Sequence, residues 1–295
     1  MAGLWHIAGW IAGSAVLLWF STLSVSLILC SVHKIKSPDK SPIPDGKNGA
    51  YMIGHASVLI ALDGRKILVD PILNDTVGFM FRRIVKPPVT AEEMADIDAI
   101  CITHSHLDHF SVTTIRRFPR TVRIIGPAPV CAIMARFGFN DRTVLHPGDE
   151  TMLGELKISG VKTEHYSAPD AVGFVIQGSK TIYHPGDTAL NEEMFRDIGQ
   201  RFAIDLVLMP IGAYRGLPPM GWIIDFNRVH ISPEQAATAF ELLGAKKAAA
   251  IHHGVFRLTT EPADEPSKRM RQTIEERKLG DRFLIPAIGE FVDLD

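Results

Sequence analysis

The chain has 295 residues, 46% of them hydrophobic and 22% charged, and its formal net charge is -2. This size and composition predict one large folded domain with a smaller appendage. The near-neutral charge argues against a nucleic-acid partner, because a polyphosphate is normally met by a basic excess. Cys30, Cys101 and Cys131 are widely spaced and form no Cys-x-x-Cys pair, so neither a disulfide framework nor a thiolate zinc site is indicated.

Residues 1–33 are predicted to form a transmembrane anchor. No Lys, Arg, Asp or Glu occurs in the 27 residues from Leu4 to Cys30, and a helix of that length extends about 40 Å, enough to cross a hydrocarbon core of about 30 Å. A cleaved signal peptide is the alternative, but no basic residue precedes the apolar run and no small-x-small site ends it. The lysines that follow, Lys34, Lys36 and Lys40, predict a single-pass membrane protein with its main domain on the cytoplasmic side.

A Pro-rich linker is predicted at 34–48, followed by one folded domain at 49–295. Short apolar runs bounded by Gly, Pro and Asp alternate there with helical stretches, which predicts a layered α/β domain. Predicted strands are Tyr51–Ile53, Ser57–Leu62, Lys66–Val69, Ala99–Thr103, Val122–Ile125, Leu156–Val161, Val172–Gln177, Thr181–Tyr183, Leu206–Met209 and Ala249–His252. Predicted helices are Ala91–Ala95, Ser111–Arg117, Val130–Phe137, Pro233–Leu243 and Lys268–Arg277.

Two local patterns sharpen these boundaries. Asp63-Gly64 predicts a hairpin turn between two strands. Ser232-Pro233-Glu234-Gln235 combines a serine N-cap, a proline at the first helical position and a glutamine at the third, which predicts a capping box.

The motif most informative about chemistry is Thr103 to His109, THSHLDH, directly after the apolar run Asp98 to Ile102. His104 and His106 are two residues apart, so a turning backbone can direct both imidazoles at one metal ion. Asp108 and His109 can then reach a second ion. A histidine-rich surface loop is the alternative, but the preceding strand and the carboxylate favour a binuclear metal hydrolase.

Further ligands must come from later strand ends, since each divalent ion needs at least three protein ligands. His165 follows a predicted strand and is a candidate. His-Pro-Gly-Asp occurs twice: Asp187 follows an apolar strand and could bridge two ions, whereas Asp149 has polar neighbours typical of a turn. His252 and His253 compete for the last position, because adjacent strand residues point to opposite faces.

Three other histidines are weighed by position. His55 is most simply interpreted as a residue where a strand begins, and His230, just before the Ser232 helix start, could face the same mouth as the metal ligands. The sequence assigns no role to His184.

The stretch from about Tyr51 to Glu290 resembles the branch of the metallo-β-lactamase superfamily that holds N-acyl-phosphatidylethanolamine phospholipase D and the ascorbate-6-phosphate lactonase type. The matching motifs are Ile53-Gly54-His55-Ala56-Ser57, Val69-Asp70-Pro71, Thr103 to His109, Gly186-Asp187-Thr188, Pro210-Ile211-Gly212-Ala213-Tyr214, His230 to Ala236 and Ile251 to Phe256. The resemblance implies a four-layer αββα sandwich. It also implies that His252 is a ligand, while His253 stands where the phospholipase has tryptophan.

The resemblance implies a complete ligand set for two divalent ions, and zinc is expected, although manganese and iron also suit imidazole and carboxylate ligands. One ion is held by His104, His106 and His165, the other by Asp108, His109 and His252, and Asp187 bridges them. A metal-bridged hydroxide is expected to act as the nucleophile. Asp108 and His230 are the expected catalytic residues, His230 by binding the phosphate or by protonating the leaving oxygen.

The expected substrate is an N-acyl phospholipid or a related lipid phosphodiester. Two apolar segments are predicted to contact it: Gly78–Lys86, which contains Phe81, and Leu217–Trp222, which follows Tyr214. A capping loop is an equally good interpretation of the first segment. The predicted anchor makes the lipid bilayer a partner. A lactonase or another small-molecule ester or phosphoester hydrolase is the alternative. A metal-dependent ribonuclease and a non-catalytic metal-binding protein are disfavoured, the first by the missing basic excess and the second by the filled ligand set.

Overall fold

The computed structural model describes residues 35–78, 81–216 and 226–295. In chain order the strands are β1 (Gly49–Gly54), β2 (Ser57–Leu62), β3 (Arg65–Val69), β4 (Thr76–Val77), β5 (Phe81–Arg82), β6 (Ala99–Cys101), β7 (Arg123–Gly126), β8 (Arg142–Val144), β9 (Glu150–Leu153), β10 (Leu156–Val161), β11 (Gly173–Gln177), β12 (Thr181–His184), β13 (Leu206–Pro210), β14 (Lys247–Ile251), β15 (Phe283–Leu284) and β16 (Phe291–Asp293). The helices are α1 (Val112–Ile115), α2 (Ala128–Arg136), α3 (Glu192–Arg201), α4 (Pro233–Leu243) and α5 (Glu265–Glu276).

Most of these strands form two mixed sheets of seven strands each. The first has the order β16-β1-β2-β3-β6-β7-β8, and the second has the order β15-β14-β13-β12-β11-β10-β9. In the first sheet β1, β2 and β3 pair antiparallel and β3, β6, β7 and β8 pair parallel. In the second, β9 to β12 are antiparallel and β12 to β15 are parallel. The predicted α/β domain is therefore confirmed, with two mixed sheets.

Alternating side chains of the central strands build three apolar cores. Ile60 and Ile182, one from each sheet, belong to the core between the sheets. Their neighbours point the other way: Leu59 packs in the core that contains residues of α2. Val207 of β13 packs with Phe240 of α4. Helices thus cover the outer faces of both sheets, and the central strands are buried on both faces, which explains their continuous apolar sequences.

Several local predictions are confirmed. Strand β2 and helix α4 have the predicted boundaries, and Asp63-Gly64 forms the turn between β2 and β3, with both residues at positive φ. Ser232 and Gln235 form the capping box, each side chain bonded to the other's backbone N–H.

One predicted helix is wrong, and one helix of the structure was not predicted. The predicted helix Ala91–Ala95 is wrong, because this segment forms successive turns with i to i+3 hydrogen bonds such as Met94 N to Ala91 O. Helix α3 was not predicted, although Asn191 caps it by accepting a hydrogen bond from Met194 N. The acidic residues Glu192 and Glu193 in its first turn are the signal that would have found it.

The predicted transmembrane segment 1–33 lies outside the described residues. Within residues 35–78, 81–216 and 226–295, no helix has the length and apolarity that a membrane span requires. The described part of the predicted linker lies against the folded domain. Lys36 N donates to Ile84 O and Ser41 N donates to Gly289 O, each at 2.9 Å.

The capping box generates a stability prediction. Ser232→Ala removes the acceptor for Gln235 N and is expected to lower the free energy of unfolding by about 1 kcal/mol, because a helix N–H loses its partner. Chemical denaturation followed by circular dichroism measures this difference. Ser37→Ala, at an exposed position, serves as the control, and equal unfolding midpoints for the two variants would contradict the prediction.

Candidate metal centre

The site lies where the carboxyl ends of several strands meet. His104, His106, Asp108 and His109 follow β6, His165 follows β10, Asp187 follows β12, and His252 follows β14. Ligand sites commonly lie at this edge of an α/β sheet, because loops with exposed polar groups leave the buried strands there. The structure thus brings together all seven residues predicted as metal ligands.

These residues fall into groups whose potential ligand atoms lie within 4.8 Å of one another. The groups are His104, His106 and His165; His55, Asp108, His109 and His252; His104, His109 and Asp187; and Asp187, His230 and His252. The first two correspond to the two halves of the predicted ligand set. The third and fourth share Asp187, so one carboxylate connects the halves.

Asp187 occupies the middle of the site. Its Oδ2 lies 3.1 Å from His109 Nε2 and 4.0 Å from His104 Nε2, and its Oδ1 lies 3.1 Å from His252 Nε2. The carboxylate is 1% exposed. A buried carboxylate that reaches histidines of both groups has the position that a bridging ligand needs.

The donor atoms fit divalent metal ions. Buried polar atoms normally have a hydrogen-bond partner. Among the described residues several atoms here form no hydrogen bond of normal geometry, although two of the histidines lie 3.1 Å from Asp187. These atoms are His104 Nε2, His109 Nε2, His165 Nδ1, Asp187 Oδ1, His230 Nδ1 and both ring nitrogens of His252. Imidazole nitrogens and carboxylate oxygens are ligands for zinc, iron and manganese. The His/Asp clusters are therefore consistent with a binuclear metal site.

The charges within the site perturb one another strongly. Burial alone would raise the pKa of Asp187, but His109, His252 and His230 hold that pKa well below its usual range. Burial alone would likewise lower the pKa of His252, yet Asp187 and Asp108 raise it to about 9. The pKa of His109 is also raised well above its usual value, since Asp187 and Asp108 outweigh its burial.

A buried carboxylate outside the predicted ligand set orients two of the histidines. Asp70 follows β3 and accepts hydrogen bonds from Thr103 N at 2.8 Å, Thr103 Oγ1 at 2.7 Å and His109 Nδ1 at 2.7 Å. Since His109 donates through Nδ1, its Nε2 is left for the site. The Thr103 hydroxyl also lies 3.0 Å from His104 Nδ1, which orients that ring in the same way. Such partners commonly fix the tautomer of metal-binding histidines.

Backbone strain is concentrated around the same edge. His55, Asp70, Ala213 and His252 all have positive φ, between 45° and 64°, a region that residues with a Cβ rarely occupy. Gly212 packs so close to His252 that an added Cβ would collide with the His252 carbonyl oxygen. The surrounding packing holds these conformations and directs the side chains of His55 and His252 toward Asp108.

His55 corrects the sequence-based interpretation, because it belongs to the cluster. Its Nε2 lies 3.1 Å from Asp108 Oδ2, and its ring centroid lies 3.9 Å from that of His252. No periodic pattern predicts this position, since the ring reaches the site through the left-handed backbone of the β1–β2 turn. The Gly54-His55 pair in the matched motif was the available signal.

The structure gives His184, His252 and His253 different surroundings. His184 is structural: Gly186 N donates to its Nδ1 at 3.1 Å, and its Nε2 lies 3.0 Å from Ala56 O. His252 enters the cluster, whereas His253 belongs to none of the His/Asp groups found among the described residues. Asp149 lies at a turn and accepts from His146 N at 2.9 Å, as the polar setting of this second His-Pro-Gly-Asp predicted.

His230 lies at the mouth of the site. Its Nδ1 is 3.6 Å from Asp187 Oδ2, and its ring stacks on Phe226 at a centroid distance of 6.4 Å. Its side chain is 12% exposed. Burial and the neighbouring His252 and His165 lower the pKa of His230 to about 3, although Asp187 opposes this shift. The imidazole is therefore neutral near pH 7.

The three predicted substrate contacts differ in position. Tyr214 is buried and donates its hydroxyl proton to Glu265 Oε1 at 3.1 Å, so a direct substrate contact by this hydroxyl is not supported. Phe81 is half-buried and packs in an apolar cluster with Phe256, whose ring touches that of His55 at a centroid distance of 5.5 Å. Trp222 lies outside the described residues.

Comparisons with known proteins agree with this geometry. A family model described as beta-lactamase superfamily domain matches residues 65–253. The chain is 29% identical over 237 residues to the UPF0173 metal-dependent hydrolase of Rubrobacter xylanophilus, covering 75% of this chain and 87% of that protein. It is 26% identical over 256 residues to N-acyl-phosphatidylethanolamine-hydrolyzing phospholipase D 1 of Caenorhabditis elegans, covering 78% and 70%.

A solved structure shows the same fold. The crystal structure described as a possible metal-dependent hydrolase from Veillonella parvula superposes with a TM-score of 0.72 at 18% identity, over 84% of this chain and 100% of that chain.

The raised pKa values generate a prediction for metal binding. In the metal-free chain at pH 7, His109 and His252 each carry an extra proton, which must leave before the imidazole nitrogen can bind a metal ion. Zinc binding is expected to release about two protons from these rings, and zinc affinity is expected to rise between pH 7 and pH 9. Titration calorimetry in buffers of different ionisation enthalpy measures the release, and a buffer-independent heat would contradict the prediction.

Proposed function

The chain belongs to the metallo-β-lactamase superfamily and is a metal-dependent hydrolase, and on this basis we propose that it hydrolyses a phosphodiester bond in an N-acyl phospholipid or a related lipid. The observation that carries this proposal is the pair of His/Asp clusters joined by Asp187, with an exposed apolar rim beside them. Supporting it, one relative is named as an N-acyl-phosphatidylethanolamine-hydrolyzing phospholipase D.

We assign the ligands from the two groups. His104, His106 and His165 would hold one divalent ion, Asp108, His109 and His252 the other, and Asp187 would contact both. Zinc is the proposed metal, with manganese and iron as the other ions that these donors suit. Two bound ions would supply an activated water and a positive charge facing the phosphoryl oxygens.

His230 is the proposed substrate-binding histidine at this centre. Since its ring is neutral near pH 7, it offers one N–H to hydrogen-bond a phosphoryl oxygen. This favours phosphate binding over protonation of the leaving oxygen, because a group with so low a pKa seldom carries the proton to be delivered. The stacked ring of Phe226 holds the imidazole in place.

An apolar rim favours a substrate with an aliphatic portion. Leu107, between His106 and Asp108, is 64% exposed, and Tyr166, next to His165, is 67% exposed. These are among the few large hydrophobic side chains exposed in the described chain, and both adjoin residues of the cluster. Arg228 lies over the Tyr166 ring at 4.8 Å, which adds a cation to the rim. An anionic lipid would contact both kinds of group.

Membrane attachment is part of the proposal. The apolar segment 1–33 supports a single-pass anchor, and the lysines after it support a cytoplasmic catalytic domain. Such an anchor would hold the site near its lipid substrate.

The two His-Pro-Gly-Asp copies provide a matched test of the site. Asp187→Asn is expected to reduce turnover of an N-acyl phospholipid by at least about a hundredfold, because a neutral amide is a poor bridging ligand. Mutation of residues that only hydrogen-bond to metal ligands already costs about 10- to 100-fold, and loss of a direct ligand should cost more. Asp149→Asn is expected to stay within about twofold of the wild-type rate. Zinc-loaded chains are assayed for release of phosphatidic acid.

Other outcomes would change the assignment. Full activity of Asp187→Asn would show that the site is misassigned. Hydrolysis of lactones without hydrolysis of any phosphodiester would replace the proposed reaction with the lactonase alternative.

The apolar rim generates a prediction about the aliphatic chain of the substrate. Leu107→Ser and Tyr166→Ser are each expected to raise KM for a long-chain phosphodiester roughly three- to tenfold, since part of an apolar contact is lost. Both should leave hydrolysis of the soluble bis(p-nitrophenyl) phosphate unchanged. Met152→Ser, at another exposed apolar position on β9, is the control, and an equal effect on the two substrates would contradict a role for the rim.

A further inference from the structure

A cleft of about 560 Å³ borders the metal centre through His55. It is formed by the β1–β2 turn, the end of β14, the first half of α5, the loop that contains Ile288, and Lys36. Its volume lies in the range of small-molecule sites. His55 also contacts Asp108 in the cluster, so this side chain adjoins both the cleft and the metal centre.

One part of the cleft wall is apolar. Ile84, Val85, Ile285, Pro286 and Ile288 line it. An apolar surface of this kind is stabilised when an aliphatic group displaces water from it. The occupant therefore needs an aliphatic portion.

Another part of the wall is cationic. Arg271 of α5 and Lys36 line the cleft, and neither side chain has an acidic partner among the described residues. Two carboxylates also line it, Asp264 and Glu290.

Both carboxylates have partners within the protein. Asp264 pairs with Lys268 Nζ at 2.6 Å, and Glu290 accepts from Ala287 N at 2.7 Å. Lys268 neutralises Asp264, whereas the backbone N–H on Glu290 leaves its charge in place. Arg271 and Lys36 together outweigh that single negative charge, so the cleft has a net positive charge, which favours an anionic occupant.

The cleft also has uncharged polar groups. His253 and Ser267 line it. His55 is buried, and its Nδ1 has no hydrogen-bond partner among the described residues. Because this nitrogen has almost no accessible surface, His253 and Ser267 are the uncharged polar side chains that line the cleft for a ligand to contact.

We propose that this cleft binds an amphiphilic anion, a molecule with a phosphate or carboxylate head group on an aliphatic chain. The head group contacts Arg271 and Lys36, and the chain lies on Ile84 and Ile288. The site is separate from the metal centre and does not depend on which bond that centre hydrolyses. His253 and Ser267 provide the hydrogen-bonding groups of the wall.

Calorimetric titration of the zinc-loaded full chain in phosphatidylcholine nanodiscs tests this site. The probes are hexyl phosphate, hexanoate, inorganic phosphate and hexanol. Hexyl phosphate is expected to bind at least about tenfold more tightly than inorganic phosphate or hexanol, because inorganic phosphate lacks the aliphatic chain and hexanol lacks the anionic head group. Comparison with hexanoate distinguishes a phosphate ester from a fatty acid as the preferred occupant.

Variants separate the cleft from the metal centre. Arg271→Ala is expected to weaken hexyl phosphate binding about tenfold or more, since a charge-assisted contact is lost. Arg277→Ala, at the end of the same helix and paired with Glu241, should bind as the wild type does. His106→Ala, which damages the metal cluster, should also retain binding.

The opposite pattern would overturn the proposal. If Arg271→Ala binds hexyl phosphate as tightly as the wild type, or if binding is lost in His106→Ala and kept in Arg271→Ala, the anion occupies the metal centre and not the cleft. Hexanol binding as tightly as hexyl phosphate would exclude the anionic head group. Circular dichroism of each variant establishes that the fold is retained.

Discussion

The contact of Asp187 with His109 joins the two halves of the molecule. Asp187 follows a strand of the second sheet and His109 follows a strand of the first, yet the two side chains approach to 3.1 Å and both are buried. Burial of several charges is costly unless they are paired or bind a metal ion. The packing of the two sheets across their shared core therefore has to place opposite charges from both sheets at one edge.

The rest of the site follows from that constraint. Asp70 fixes the tautomer of His109 and, through Thr103, the ring of His104. The positive φ angles of His55 and His252 turn those rings toward Asp108. Each of these conformations is unfavourable alone, and the tightly packed strand ends hold them together. A centre prepared in this way can bind ions without large rearrangement.

The same edge of the fold offers two different environments. On one side, Leu107, Tyr166 and Arg228 surround the approach to the cluster. On another, the cleft with Arg271 adjoins His55. Both combine apolar surface with a cation, which is the observation on which the two proposals rest. The proposed lipid substrate and the proposed second ligand are therefore of the same chemical type, an anionic group on an aliphatic chain.

The sequence by itself determined the α/β class, the boundaries of β2 and α4, and the candidate ligands His104, His106, Asp108 and His109, because these depend on short-range patterns: alternation, capping and the spacing within one heptad. The choice of His165, Asp187 and His252 to complete the ligand set depended on the resemblance to a known family. The sequence did not reveal that His55 belongs to the His/Asp cluster, that Asp70 orients His109, or that the Tyr214 hydroxyl donates a hydrogen bond to Glu265. Those features depend on left-handed backbone angles and on contacts between residues distant in the chain. Only the tertiary structure decided them, since local patterns carry no information about which strand ends meet.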